Sequence, residues 1–550
     1  MARVLSQPHT REALKAGIDA LAGAVLPTLG PLTGAVALDD KNRAGSPELL
    51  DDGGAIARRI LQLDDGDADV GAMLLRETLW RQRERFGDGA ATAAAIYQTV
   101  YAEGHRFISA GGNAMLLRQA LERGMRDMLD DLRRQVADLS TPEEIKRLAL
   151  SICEDGDMAA ALADIFDVLG PYGAIETRAG GRELRHEFFL GSFWESAVPS
   201  NIVFEGVVGD RIELKNSAWL ISDFELDDLA ALVNLAAAVY QAGCDSLVIL
   251  AKSFSEQIIA AQGANSRMED FRLVYLEPAG LLDEQEAALE DLALITGGTV
   301  LRAAGGHNLE AVQPDMLGKS ELAWVDRNRF GIIAGGGDES RVQNEIAALE
   351  RRYENSADER RQEILRTRIG RLRGGSAVVY AAGSSESELR FQQELLKRAI
   401  AAVRAGILGG TLPGGGTALL RCLAGLRERL RESADLHERA AWRILIKAAE
   451  APCRALLANA GHEAPGVVVH QIRSGANGIG YDLRAERIVD MPQAGVVDSA
   501  AAQMAAVRSG VSGAALALTV ERIVHRANPP LAIDPGGLPA EADLGNIELK

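Results

Sequence analysis

Apolar residues recur at helical spacing through the first third of the chain. Leu14, Ile18, Leu21 and Val25 fall on one helix face. Pro27 stops that helix, and Thr28, Leu29, Gly30 and Pro31 form a loop behind it. Leu117, Leu121, Met125, Met128 and Leu132 make a second amphipathic stripe. Both stripes predict core-facing helices and nothing more specific. The middle of the chain changes character. Short apolar runs at 247–251, 273–276 and 299–301 alternate with helix-like segments at 228–241 and 255–268. That alternation predicts a compact α/β domain. A highly charged stretch, 339–373, carries two helical patterns and reads as a solvated helical hairpin. From residue 386 to about 458 the pattern is helical again, 466–470 reads as a buried strand, and 500–526 is helix-rich. A Pro/Gly-rich tail follows and reads as mobile. Helical material therefore brackets an inserted α/β domain.

Composition narrows this picture. At 550 residues the chain is long enough for two to four domains. Hydrophobic residues at 47% and charged residues at 25% are ordinary for a globular protein, whereas aromatics reach only 5%. Scarce aromatics with abundant Ala and Gly point to helices packed through small side chains. The net charge of −19 argues against nucleic acid or an anionic membrane as partner, since both need a basic footprint. Cys153, Cys244, Cys422 and Cys453 show no metal-ligand spacing and read as reduced thiols of a cytoplasmic protein. The first residues lack the apolar core of a signal peptide, and no run approaches the ~20 apolar residues of a membrane span. The eight histidines form no cluster in the sequence, and Trp194 reads as a core residue.

Candidate chemistry lies in three Gly-containing loops: 28–40, 86–95 and 412–421. Glycine lets backbone N–H groups approach a phosphate, and a helix beginning behind the loop adds a favourable dipole. Asp88 in the second loop is suited to hold Mg²⁺, with phosphate oxygens completing the shell. Each loop alone is weak evidence, since Gly-rich turns are mostly structural.

Taken in order, the loops resemble one family. REALKAGIDALAGAVLPTLGP (11–31), LLDDGGAIARRI (49–60), GDGAATAAAIYQTVYAEG (87–104), ALITGGTV (293–300), RAGILGGTLPGGGTALLR (404–421) and GYDLRAERIVDM (480–491) with GVVD (495–498) are similar to the group I chaperonins of the bacterial GroEL type. The resemblance runs from about Arg11 to Arg526, and it is to a divergent member. It implies an α+β multidomain subunit: a mainly α equatorial domain (1–133 and 409–550), a small intermediate hinge domain (134–189 and 376–408) and an α/β apical domain (190–375). It also implies ATP and Mg²⁺ as cofactors. Thr28, Leu29, Gly30 and Pro31 fall on the first phosphate loop. Asp88 falls on the Mg²⁺ ligand, with Gly89, Ala90, Ala91 and Thr92 beside the phosphates. Asp52 falls on an acidic residue that helps hydrolysis, and Gly415, Asp482, Val496 and Asp498 line the nucleotide pocket.

Departures from the family pattern are equally informative. The family's phosphate-binding Lys before Asp52 is Asp51 here, which repels phosphate. Two of three consecutive Thr hydroxyls become Ala90 and Ala91. A gap-free match places Arg398 where the family has the Asp that orients the attacking water; a gapped match places Glu394 there. Arg does not activate water as a carboxylate does, although it suits a γ-phosphate. Nucleotide binding is thus expected, with hydrolysis weakened or lost. Polypeptide-binding positions of the family match Val198, Ile202, Val203, Val233, Ala236, Ile259, Gly263 and Ala264. Several are trimmed to Ala or Gly, so generic capture of unfolded chains should be weaker. The resemblance implies a ring, heptameric in the family, acting on non-native or specific client polypeptide with a lid co-chaperonin. The substitutions leave a second reading open: a pseudo-ATPase scaffold or assembly platform.

Overall fold

In the computed structural model, residues 3–31, 34, 36–38, 48–204, 211–265, 271–356 and 358–525 are described. The contacts divide the chain into two units. Residues 1–159 and 397–550 contribute one, and residues 160–396 the other.

The first unit is built from both chain ends and is mostly helical. The predicted stripe of Leu14, Ile18, Leu21 and Val25 is the buried face of the helix His9–Val25. Leu117, Leu121, Met125, Met128 and Leu132 are likewise buried, on the helix Ala114–Arg133. Small residues set the helix spacing, as the composition implied. A Cβ added at Gly17 would lie 1.7 Å from the Ala68 carbonyl oxygen, and one at Gly71 would lie 2.2 Å from that of Leu14. The helices His9–Val25 and Gly66–Phe86 therefore touch through their backbones, which only glycine permits there. Around this crossing pack Ala90–Ser109, Leu436–Asn459 and Ala500–Ala517. The unit closes with an antiparallel pair, Arg3–Ser6 against Arg522–His525, so the first and last of the described strands meet.

The second unit is α/β. The long strand Arg211–Ser222 pairs antiparallel with Gly318–Asp326 along one edge and parallel with Ser246–Leu250 along the other. Arg272–Pro278 continues the parallel set, and Val300–Leu301 joins Arg211–Ser222 on its opposite side. Trp194 is buried, its ring stacked 5.3 Å from Phe330, as expected of a core residue.

Two expectations need correction. Residues 466–470 are not a strand but part of the helix Pro465–Ser474. Val469 and Ile472 face the core at helical spacing while Val467 is exposed, so packing outweighs the β-propensity of three consecutive valines. The charged hairpin is the pair Glu339–Asn355 and Glu359–Arg373, but it is only partly solvated. Ile346, Leu349, Leu365, Ile369 and Leu372 form a core with Tyr172, and Arg368 donates to the fully buried Asp291 at 2.9 Å. The C-terminal tail lies outside the described residues from 526 onward. Among the described residues, no helix is long and apolar enough to cross a membrane.

Candidate nucleotide site

Local sequence rules bring the predicted loops together within the first unit. The helix His9–Val25 ends before Pro27, and Leu26–Thr28 forms one 3₁₀ turn. Thr28 Oγ1 donates to the Val25 carbonyl at 2.8 Å. Asn459 Nδ2 donates to the carbonyls of Leu26 (2.9 Å) and Leu29 (2.8 Å), which pins the turn leading to Gly30 and Pro31. Asp52 caps the short helix Gly53–Arg59, its Oδ1 accepting from the Gly54 N–H at 2.9 Å. A Cβ at Gly53 would lie 3.4 Å from Thr28 Oγ1 and 3.6 Å from the Ala91 nitrogen. That one position measures how closely the first loop, the Asp52 turn and the Ala90–Ser109 helix converge.

The Ala90–Ser109 helix starts from Gly89, in a left-handed conformation at φ 84°, with no side-chain cap. Its first N–H groups, at Ala90, Ala91 and Thr92, therefore have no side chain bonded to them, while all three residues are buried. An uncapped start of a 20-residue helix is suited to an anion. Gln82 fixes the approach: its Nε2 donates to the Asp88 carbonyl at 3.0 Å and to Ala502 at 2.9 Å.

Opposite lie the C-terminal parts. Thr411–Pro413 pairs antiparallel with Val497–Ser499, placing Leu412 across from Asp498. The Gly414 N–H donates to Val496 at 3.0 Å, and Gly415 follows with Met491 against it. Asp482 ends the strand Ile479–Asp482 and accepts from the Arg484 and Ala485 N–H groups. A Cβ at Gly30 would touch Leu456 and approach Leu483, which connects this hairpin to the first loop.

Two charged clusters lie here, and they are coupled, since beside the larger effect of burial Arg398 lowers the pKa of Asp88 and Asp52 raises it. Asp88 and Asp498 are partly exposed as residues, but their carboxyl groups are enclosed by protein. Burial pushes both upward, Asp498 to about 7, and the charge of Asp88 adds to that rise. A hydrogen bond from Gln503 opposes it, at 2.8 Å. The Arg398 charge and the Gly89 N–H only partly offset the burial of Asp88, so a divalent cation beside these carboxyls would relieve both. Among the described residues no three His, Cys, Asp or Glu are grouped to cage a metal alone. A cation there would rest on Asp88 and the ligand's own phosphate oxygens, as Mg²⁺ commonly does.

The second cluster is the one that departs from the family. Arg398 Nη2 donates to Asp51 Oδ2 at 2.9 Å, and its Nε lies 3.9 Å from Asp52 Oδ2. Arg83 forms an ion pair with the same oxygen of Asp52. Asp51 thus does not stand as a bare charge against phosphate, because Arg398 faces it. The Arg398 guanidinium thus reaches both Asp51 and Asp52. Gln82, Arg83 and Gln503 escaped sequence reasoning, since no motif marks them.

On the second unit, Val233 is 56% exposed on the helix Leu229–Gln241, whereas Ala236 and Ile259 pack partly into the core. Val203 is buried, and Val198 is half-buried against the same core. Of Ile202, Gly263 and Ala264 only the backbone is described. Tyr240, 53% exposed and two turns along the same helix face from Val233, was not singled out.

The family model of the TCP-1/cpn60 chaperonins matches residues 215–528, more than half of the chain. The chain belongs to the TCP-1/cpn60 chaperonin family. Among solved structures, it is similar to the chaperonin gp146 from the bacteriophage EL 2 (Pseudomonas aeruginosa), crystallised in the presence of ATP-BeFx. Two crystal forms match with TM-scores of 0.78 and 0.67, each at 18% identity over 96% of this chain and 99% of that one. The α+β multidomain chaperonin fold is therefore that of this chain, and the low identity fits a divergent member of the GroEL type.

Proposed function

We propose that this chaperonin is a nucleotide-binding subunit that assists the folding of particular client polypeptides. A role of chaperonin type in protein folding follows from the family. Equatorial, intermediate and apical parts with the boundaries given above, a homo-oligomeric ring, a lid partner and a cytoplasmic location belong to the proposal. The observation that carries nucleotide binding is the convergence of Thr28, Gly53 and the uncapped start of Ala90–Ser109 at one spot. In this reading the N–H groups of 90–92 hold phosphate oxygens, Thr28 to Pro31 wall the site, and Gly415, Asp482, Val496 and Asp498 enclose the base and ribose. Asp88 would hold Mg²⁺, which supplies charge neutralisation at the phosphates.

Hydrolysis is the weak link. Both oxygens of Asp52 are engaged, by the Gly54 N–H and by Arg83, and Arg398 brings no carboxylate to a water. A slow or absent ATPase, with the fold kept as a binding scaffold, is the second reading this arrangement favours. Calorimetric titration with MgATP, beside Asp88→Ala, tests binding. We expect saturable binding that the variant weakens, and undetectable binding to the unsubstituted chain would refute the proposal. Phosphate release at the level of Asp88→Ala would leave the scaffold reading standing.

A further inference from the structure

The α/β unit contains a cleft that the nucleotide chemistry does not use. Its parallel strands run in chain order Arg211–Ser222, Ser246–Leu250, Arg272–Pro278, Val300–Leu301. In space, Ser246–Leu250 and then Arg272–Pro278 lie to one side of Arg211–Ser222, and Val300–Leu301 lies on the other. The connection therefore reverses direction at Arg211–Ser222. In α/β sheets a crevice opens outside the carboxyl ends of the strands at such a reversal, and ligands bind there.

A cavity of about 780 Å³ sits at that point. Its wall begins with the residues that follow these strands: Asp223 after the first, Lys252 after the second and Arg302 after the fourth. The lips are held in place. Asp223 Oδ1 accepts from the Ala303 N–H at 2.8 Å, and His307 Nδ1 accepts from the Arg302 N–H at 3.0 Å. One face of the helix Leu282–Thr296 forms the far wall, with the 74% exposed Leu282 at its mouth and Leu289 below. Six carboxylates line the cleft against two cations. Both cations are already matched, Lys252 by Glu225 at 2.6 Å and Arg302 by Glu286 at 3.6 Å. Asp227 and Glu310 are exposed on the rim.

We propose that this cleft binds a short basic peptide segment carrying apolar side chains. Apolar side chains would enter between Leu282 and Phe224, and Lys or Arg would answer the unmatched carboxylates. Charge complementarity of this kind sets partner choice and the rate of encounter. Val233 does not line this cleft.

The test uses the full chain and a fluorescein-labelled peptide of alternating lysine and leucine, followed by anisotropy without nucleotide. Asp227→Lys with Glu310→Lys should weaken binding roughly tenfold or more. Glu213→Lys with Glu321→Lys, an equal change of net charge on exposed positions away from the cleft, should leave it within about threefold. Added salt should weaken binding. Equal losses in both double variants, or a lysine–serine peptide binding as tightly, would overturn the proposal. Since no nucleotide is present, either result is independent of ATP binding.

Discussion

Asp51 and Arg398 should behave as one unit whose polarity can be inverted. Asp51 is 34% and Arg398 16% exposed, so the pair is neither a surface bridge nor a buried one. Exposed bridges contribute ~0.2–1 kcal/mol, whereas losing one partner of a buried pair costs about 3–5 kcal/mol. With a 2.9 Å hydrogen bond between them, a coupling of about 1–2 kcal/mol is expected. Asp51→Lys alone sets two cations against each other. Arg398→Asp alone gathers three carboxylates, because Asp52 already lies 3.9 Å from the Arg398 Nε. Both single variants should lower the urea midpoint, and the double reversal should recover most of the loss. Circular dichroism of the full chain reads the cycle, in which effects unrelated to the pair cancel. Additivity within about 0.3 kcal/mol would refute the coupling. The double reversal also restores a lysine before Asp52 and a carboxylate at 398, so MgATP affinity should rise in it above either single variant.

Three further outcomes are expected. The Asp498 carboxyl, held up at about 7 chiefly by burial, keeps its proton in the native state where the unfolded chain has released it. Stability should fall as pH rises from the ordinary carboxylate range to about 7 and level off above, and Asp498→Asn should flatten that slope in urea midpoints. Asp291→Ala should destabilise by about 1.5–3 kcal/mol, the loss of a buried charged hydrogen bond, because Arg368 keeps Glu290 at 3.2 Å and Glu345 at 3.7 Å; a melting experiment reads the shift. Gly17→Ala should cost roughly 2–4 kcal/mol by forcing a Cβ into the Ala68 carbonyl, whereas Gly23→Ala, open on the same helix, should be neutral or stabilising in the same urea assay.

Repeating, local features were legible in the sequence. The stripes at Leu14 to Val25 and Leu117 to Leu132 carried their helices because burial follows the 3.6 period. The Gly-rich loops carried the site because a glycine-led helix start is a local device. Features that depend on distant partners were not legible. Asp51 and Arg398 read as two separate losses, since nothing in either neighbourhood announces a partner 347 residues away. Val467 to Val469 favoured a strand by propensity, and only Pro465 at the first helical turn signalled otherwise. Val203 looked like a binding residue because apolar character alone does not say which way a side chain faces.

The pairing of Arg3–Ser6 with Arg522–His525 bears on how the chain itself is made. The helical unit cannot finish until nearly the last described residue has emerged, while the α/β unit is one continuous stretch, 160–396. At ~5–20 residues per second, synthesis of that stretch takes roughly 10–50 s. Throughout that time His9–Val25, Gly66–Phe86 and Ala90–Ser109 lack the apolar faces of Leu436–Asn459 and Ala500–Ala517 that complete their core. On the ribosome, a nascent chaperonin therefore presents the kind of exposed apolar surface that chaperones recognise, and its N-terminal third is where help with its own folding would act first.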